Sequence, residues 1–183
     1  MQKYLITSQE LYTNDTAIFS TTLQVKLTKY LPEYVLFRDK ENPNYDLLAI
    51  EFIRICNQFN SVKSFIHQDI DLAKKLNATG VHLNSKQFGE ISYAKSLGLE
   101  VIISTHSHNE VLEAQQLGAD AVTYSPIFVS PNKGEPKGLD DLIGLLSKCN
   151  IKIFALGGVV NKSQVDILQE TNAYGFASIR YFL

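Results

Sequence analysis

The stretch Gly118-Ala119-Asp120-Ala121-Val122-Thr123-Tyr124 runs from a glycine through small and turn-forming residues straight into a short apolar, β-branched segment. It reads as the C-cap of a helix feeding a buried strand, with the glycine supplying the left-handed residue. The same transition recurs at Asn77-Ala78-Thr79-Gly80-Val81 and at Asn172-Ala173-Tyr174-Gly175-Phe176, with Asn as the left-handed residue. Three copies of one helix-to-strand turn predict a chain in which helices and strands alternate.

Eight short apolar runs fit that alternation: Tyr4–Ile6, Tyr34–Phe37, Val62–Ile66, Gly80–Leu83, Val101–Ser104, Ala121–Tyr124, Ile151–Ala155 and Gly175–Ala177. Most are continuous rather than alternating in polarity, as strands buried on both faces of a parallel sheet are, so helices must cover them. Leu48, Phe52, Ile55, Cys56 and Phe59 form one apolar stripe at helical spacing. Ser107 with Glu110, and Asn161 with Gln164, have capping-box spacing just after a strand, which predicts a helix start at each.

Eight βα units predict an α/β fold, a compact TIM (β/α)8 barrel formed as a single domain over residues 1–183, although such barrels ordinarily need about 200 residues. The alternative is an open doubly wound sheet. That fold calls for a Gly-x-Gly-x-x-Gly turn after the first strand, and Ile6-Thr7-Ser8-Gln9 does not supply it.

Composition narrows the function classes. The chain has 17 Lys+Arg against 19 Asp+Glu, a formal charge of −2, and 45% hydrophobic residues, which excludes disordered, collagenous and coiled-coil classes. No cluster of basic residues interleaved with aromatics suggests nucleic acid as the main ligand. No apolar window of about 18 residues suggests a membrane span, and the first seven residues lack the apolar core of a signal peptide. Cys56 and Cys149 lie far apart with no zinc-ligand spacing, which fits a reducing cytoplasm. A small molecule is the expected partner; a homo-oligomer is compatible with this composition.

In a TIM barrel the chemistry sits at the C-terminal ends of the strands, and those positions are polar here. Gly157-Gly158 after the seventh strand reads either as a tight turn or as bare backbone approaching an anion. Ala177-Ser178 reads as the start of a short helix whose free N–H groups would complete a phosphate cradle. Arg38 and Lys40, two residues apart, either clamp a second anionic group or form a solvated pair neutralised by Asp39 and Glu41. Lys133, in a Pro- and Gly-rich loop, is a candidate lid cation, the alternative being a surface loop.

His106 follows the Val101–Ser104 strand in Ser104-Thr105-His106-Ser107 and is the best candidate for a general acid/base, against the alternative of a capping or surface histidine. His82, between Val81 and Leu83, points into the barrel, where a hydrogen-bonded core histidine is the more frequent case. His67 and His108 are expected to face solvent.

Taken together, Phe37-Arg38-Asp39-Lys40, Asp71-Leu72-Ala73 before Gly80-Val81-His82-Leu83, Ser104-Thr105-His106-Ser107, Gly118-Ala119-Asp120, Ser125-Pro126-Ile127-Phe128 with Lys133-Gly134, and Leu156-Gly157-Gly158-Val159 resemble the thiamine-phosphate synthase family and its relative TenI, the thiazole tautomerase. The likeness covers most of the chain from Val35 onward. It implies a barrel that binds a thiazole phosphate, with Gly157, Gly158 and the Ala177-Ser178 turn holding the phosphate, and Arg38, Lys40, Ser104 and Lys133 around the substrate.

The resemblance also implies what is missing. The synthases neutralise a departing diphosphate with Mg²⁺ held by acidic residues, but the corresponding positions read His67-Gln68-Asp69 and Gln87, and a neutral amide is a poor Mg²⁺ ligand. The Gln found two residues before the synthase Arg is Leu36 here. A TenI-like tautomerase needs no metal and no cofactor: it moves one proton to aromatise a thiazole carboxylate phosphate, with His106 as acid/base. The alternatives are a Mg²⁺-dependent synthase, for which the Ser-Pro-Ile-Phe…Lys loop speaks, and a non-catalytic thiazole-phosphate-binding or regulatory protein.

Overall fold

A computed structural model describes residues 1–39, 42–131 and 133–183. Its strands are β1 (Gln2–Ile6), β2 (Tyr34–Phe37), β3 (Lys63–His67), β4 (Gly80–Leu83), β5 (Glu100–Thr105), β6 (Ala121–Tyr124), β7 (Lys152–Leu156) and β8 (Gly175–Ser178). They close into a parallel barrel in chain order, with β8 pairing back onto β1 from Gln2↔Gly175 to Leu5↔Ser178. Each expected apolar run becomes a strand, with its ends displaced by two residues at most. The TIM-barrel expectation holds, and the open doubly wound sheet is excluded by the β1–β8 pairing.

The helices among the described residues are α1 (Gln9–Tyr12), α2 (Thr16–Tyr30), α3 (Tyr45–Cys56), α4 (Ile70–Lys75), α5 (Ile91–Ser96), α6 (His108–Gln116), α7 (Gly138–Leu146) and α8 (Lys162–Gln169). Local chemistry sets their ends. Asp15 caps α2 by accepting the Ile18 N–H, and α8 carries the full capping box between Asn161 and Gln164. At α6 only half of the expected box forms: Ser107 Oγ accepts the Glu110 N–H, but the Glu110 carboxylate turns to the His106 N–H. Asn77, Gly118 and Asn172 take the left-handed conformation expected of them, with φ of 54°, 86° and 63°. The α3 stripe is buried at Leu48, Phe52, Ile55 and Cys56; Phe59 lies past the end of the helix and packs on the core from the following turn.

The core has two layers. Outward strand side chains such as Leu5, Val35, Ile103 and Val122 meet the helices, while Tyr4, Tyr34, Leu36, Phe65, Ile102 and Phe154 fill the barrel. A short barrel with four aromatic rings inside leaves no room for more, and two glycines provide the space. A Cβ on Gly80 would lie 2.6 Å from the Phe65 ring, and one on Gly175 would lie 2.6 Å from the Phe154 ring. The rings Tyr4, Tyr34, Phe65 and Phe154 pack the interior of the barrel. Among the described residues, no helix is long and apolar enough to cross a membrane.

Candidate active site

His106 leaves the end of β5 on the rim of the mouth, exposed, with Nδ1 3.2 Å from both the carbonyl oxygen and the hydroxyl of Ser125. Nδ1 either donates to that carbonyl or accepts from that hydroxyl, according to the tautomer. Ser125 opens the loop between β6 and α7, and this loop lies directly on the turn after β7. Ile127 donates its N–H to Leu156 O at 2.9 Å, and Phe128 donates to Gly157 O at 3.0 Å. The loop is closed at its other end by the Lys137 N–H on Pro126 O, at 2.8 Å.

Gly157 and Gly158 have φ of 96° and 72°, so both need glycine. Close approach is a second reason: a Cβ on Gly158 would lie 2.6 Å from Val129 O, and one on Gly157 would lie 2.8 Å from Pro126 Cα. The glycine pair therefore serves the crossing of two loops as well as any ligand. Among the described residues, the N–H of Gly158 has no protein acceptor, which leaves it available to an anion.

Two cradle expectations need correction. Ala177 does not begin a helix; it is a fully buried residue of β8, in register with Tyr4 and Leu156. Ser178 is the last residue of that strand, and its hydroxyl is already engaged, donating to Val159 O at 2.7 Å and accepting the Tyr181 N–H at 3.1 Å. The strand runs on because its ladder to β1 extends to Leu5↔Ser178, so the helical turn, Arg180–Phe182, starts two residues later. Ser178 thus ties the end of β8 to the glycine turn by its side chain.

Arg38 follows β2 with its main-chain N–H on Thr7 Oγ1 at 3.0 Å and its side chain half-buried, so burial draws its pKa down. Lys40 lies outside the described residues. Lys133 is exposed in the β6–α7 loop, and among the described residues it makes no ion pair or hydrogen bond. Ser104, on the inner face of β5, binds His82 Nε2 at 3.0 Å, and His82 Nδ1 binds the Tyr4 hydroxyl at 2.8 Å. His82 is thus the hydrogen-bonded core histidine that its position suggests. Burial, with His67 and Arg38 nearby, holds its pKa well below the usual histidine value.

His67 and His108, expected to face solvent, are each only partly exposed and have partners within the protein. The His67 ring is half-buried with its centroid 6.2 Å from that of His82, because two residues after Phe65 it shares the inward face of β3. His108 is drawn in by Asp141 of α7, Nε2 to Oδ1 3.1 Å, and that carboxylate also accepts the Tyr124 hydroxyl at 2.6 Å.

A cavity of about 770 Å³ opens beyond the ends of β2, β3 and β4. Four carboxylates line it: Asp39, Asp69, Asp71 and Glu90. Asp69 caps α4 through the Leu72 N–H, and Asp71 accepts the Tyr93 hydroxyl at 2.8 Å. Asp39 is buried and accepts from Asn42 through Oδ2, while its Oδ1 has no partner among the described residues. Gln68 and Gln87 sit on the same wall. The Gln87 side chain accepts the Asn84 N–H at 3.1 Å and donates to Gln68 O at 3.2 Å and to Glu90 at 3.0 Å. Sequence reasoning missed Tyr4, whose hydroxyl in the apolar run Tyr4–Ile6 was the available signal, and it missed this cavity, which no local pattern announces.

Among the described residues, no three His, Cys, Asp or Glu side chains are grouped to hold a metal ion. At the two positions where the family resemblance implies Mg²⁺ ligands, Gln68 and Gln87 offer amides rather than carboxylates, and the Gln87 amide is engaged on both its oxygen and its nitrogen; Asp69 and Asp71 are the carboxylates nearest to them in sequence.

Comparison with known proteins places this geometry. The profile of the family described as thiamine monophosphate synthase matches residues 3–182. A protein of Aquifex aeolicus called putative thiamine-phosphate synthase 2 is 31% identical over 98% of this chain and 96% of its own length. The thiamine-phosphate synthase of Prochlorococcus marinus is 32% identical over 74% of this chain, which spans only 40% of that longer protein. Among solved structures, thiamine phosphate pyrophosphorylase from Pyrococcus furiosus superposes with a TM-score of 0.81 at 23% identity, covering 97% of this chain and 85% of that one. An N-acetylmannosamine-6-phosphate 2-epimerase from Clostridium perfringens, with a TM-score of 0.75 at 10% identity, shares the fold alone, over 99% of this chain and 87% of its own. On the match to nearly its whole length, the chain belongs to the thiamine-phosphate synthase and TenI family.

Proposed function

We propose that this protein is a TenI-like thiazole tautomerase, which shifts one proton to convert a non-aromatic thiazole carboxylate phosphate into its aromatic isomer without a metal. The observation that carries this reading is the Gln87 side chain. Its nitrogen donates to a main-chain carbonyl and its oxygen accepts a main-chain N–H, a role that a carboxylate in the same place cannot fill. Diphosphate chemistry then lacks its metal, whereas a proton shift needs one acid/base and anchors for two anions.

His106 takes a proton from one ring position through Nε2 and returns it to another, so no proton is gained or lost overall. Ser125 holds the other nitrogen of the ring. The phosphate rests on the main chain of Gly157 and Gly158, and the half-buried Arg38 guanidinium, with Lys40 two residues on, takes the carboxylate. The setting is cytoplasmic, a reading supported by two unpaired cysteines. A second reading, the Mg²⁺-dependent synthase, draws on the names of the relatives and on the four carboxylates of the cavity.

The test is spectroscopic. Purified protein added to the unstable thiazole tautomer should speed its ultraviolet change, and EDTA should leave that rate unchanged. A condensation of pyrimidine diphosphate with thiazole phosphate that EDTA abolishes would instead establish the synthase. Binding of thiazole phosphate without either reaction would identify a non-catalytic binder.

A further inference from the structure

Tyr4, His82 and Ser104 form a polar chain that climbs from the closed interior of the barrel to its mouth. Tyr4 is fully buried, His82 is 2% exposed and Ser104 is partly exposed. The Tyr4 ring is surrounded by Tyr34, Phe65 and Phe154, with centroids 5.8, 5.9 and 5.1 Å away, and among the described residues its hydroxyl reaches only His82 Nδ1. Were the proton on Nδ1, that nitrogen would donate to Tyr4 and leave the phenolic hydrogen with no acceptor inside an aromatic cage, a cost of about 1–3 kcal/mol. With the proton on Nε2, every group is satisfied. Tyr4 donates to Nδ1, Nε2 donates to Ser104 Oγ, and the Ser104 hydrogen cannot turn back to the ring.

We propose that Tyr4 and His82 are positioning residues that lock Ser104 as a hydrogen-bond donor into the mouth, where it selects a heterocycle presenting an unprotonated ring nitrogen. A second observation marks the same level of the barrel. Thr123 is the register partner of Ser104 on β6 and shares the inner face with Ala121; its hydroxyl is completely buried and has no partner among the described residues. A buried hydroxyl without a partner, in register with Ser104, keeps hydrogen-bonding capacity at this level of the barrel, beneath the surface that a ligand would touch. The direction of the chain is a property of the free protein. The choice of a thiazole nitrogen as acceptor rests on the reading proposed above.

The experiment has two arms that fail separately. In uniformly ¹⁵N-labelled protein without ligand, long-range ¹H–¹⁵N correlations should show His82 neutral at neutral pH with its proton on Nε2. A proton on Nδ1, or on both nitrogens, would overturn the proposal. In the second arm, affinity is measured for thiazole phosphate and for its thiophene analogue, in which CH replaces the ring nitrogen. Ser104→Ala should weaken thiazole phosphate about tenfold and leave the analogue unchanged. Equal affinities of parent and variant for thiazole phosphate, or equal losses for both compounds, would remove Ser104 as the donor to nitrogen. If the parent binds neither compound, the thiazole reading falls and the first arm still decides the direction of the chain.

Discussion

Gln87 Nε2 donates to the main-chain carbonyl of Gln68 across 3.2 Å, tying the loop after β4 to the end of β3. Gln68 is in the left-handed conformation, φ 66°, so its carbonyl is turned towards the neighbouring loop where the amide meets it. Gln87→Glu replaces the donor by an acceptor facing a carbonyl and adds charge beside Glu90. A loss of about 1–3 kcal/mol is expected, read as a drop in the thermal midpoint of roughly 2–4 °C per kcal/mol. Mg²⁺ should leave the midpoint of the parent where it is. An undiminished midpoint in the variant would show that the amide does not hold these loops together.

Replacing His106 by Asn should slow the isomerisation by about 10²–10⁴-fold, the usual loss for a general acid/base, with little change in ligand affinity. Because the ring is exposed and, among the described residues, is held through Ser125 alone, the thermal midpoint should barely move. An unchanged rate would transfer the proton shuttle to another group.

Gly158→Val should lose both phosphate binding and stability, because the added Cβ meets Val129 O and Phe128 and the backbone is left-handed. Strain at such a position costs on the order of 1–3 kcal/mol before the clash is counted. Calorimetry should record the lower midpoint, and hydrogen exchange should rise at Ile127 and Phe128, whose N–H groups lie on this turn. Exchange there that matches the parent would mean that the loop crossing does not depend on the bare backbone.

His82 makes stability fall on acidification. Its folded pKa is depressed by burial, then by His67 and Arg38, so the unfolded chain binds a proton that the folded chain refuses. The loss begins as pH drops through the ordinary histidine value of about 6.5, at up to ~1.4 kcal/mol per pH unit, and continues down to the folded pKa. Denaturant titrations between neutral and mildly acidic pH should show this slope in the parent and a shallower one in His82→Gln. Equal slopes would mean that His82 titrates alike in both states.

Cys56 should resist thiol reagents in the folded protein. Burial pushes its thiol pKa far up, while half-buried Cys149 is raised less. Titration with a chromogenic disulfide should find at most Cys149 reactive until denaturant exposes both.

The strands were legible because burial on both faces of a parallel barrel favours short, largely apolar runs, and at Ala121–Tyr124 and Gly80–Leu83 a left-handed turn just upstream marks the start of the run. Helix starts at Ser107 and Asn161 were legible for a local reason, since a cap and its N–H lie three residues apart. The rim position of His106 followed from the same order. Ala177 was misread because the length of β8 is set by its pairing with β1, which comes from the other end of the chain. The partners of His67 and His108 could not be read locally, because the barrel interior and Asp141 of α7 lie far away in sequence.

The sequence by itself determined the alternation of strand and helix, the left-handed turns, the glycine pair and the absence of carboxylates at positions 68 and 87, all properties of a residue and its near neighbours. Tertiary structure alone decided that Tyr4, His82 and Ser104 form one chain, that Gln87 reaches Gln68, and that the glycine pair supports the loop from Ser125. Each of these joins groups from different βα units, and the closure of eight strands is what brings them within hydrogen-bonding distance.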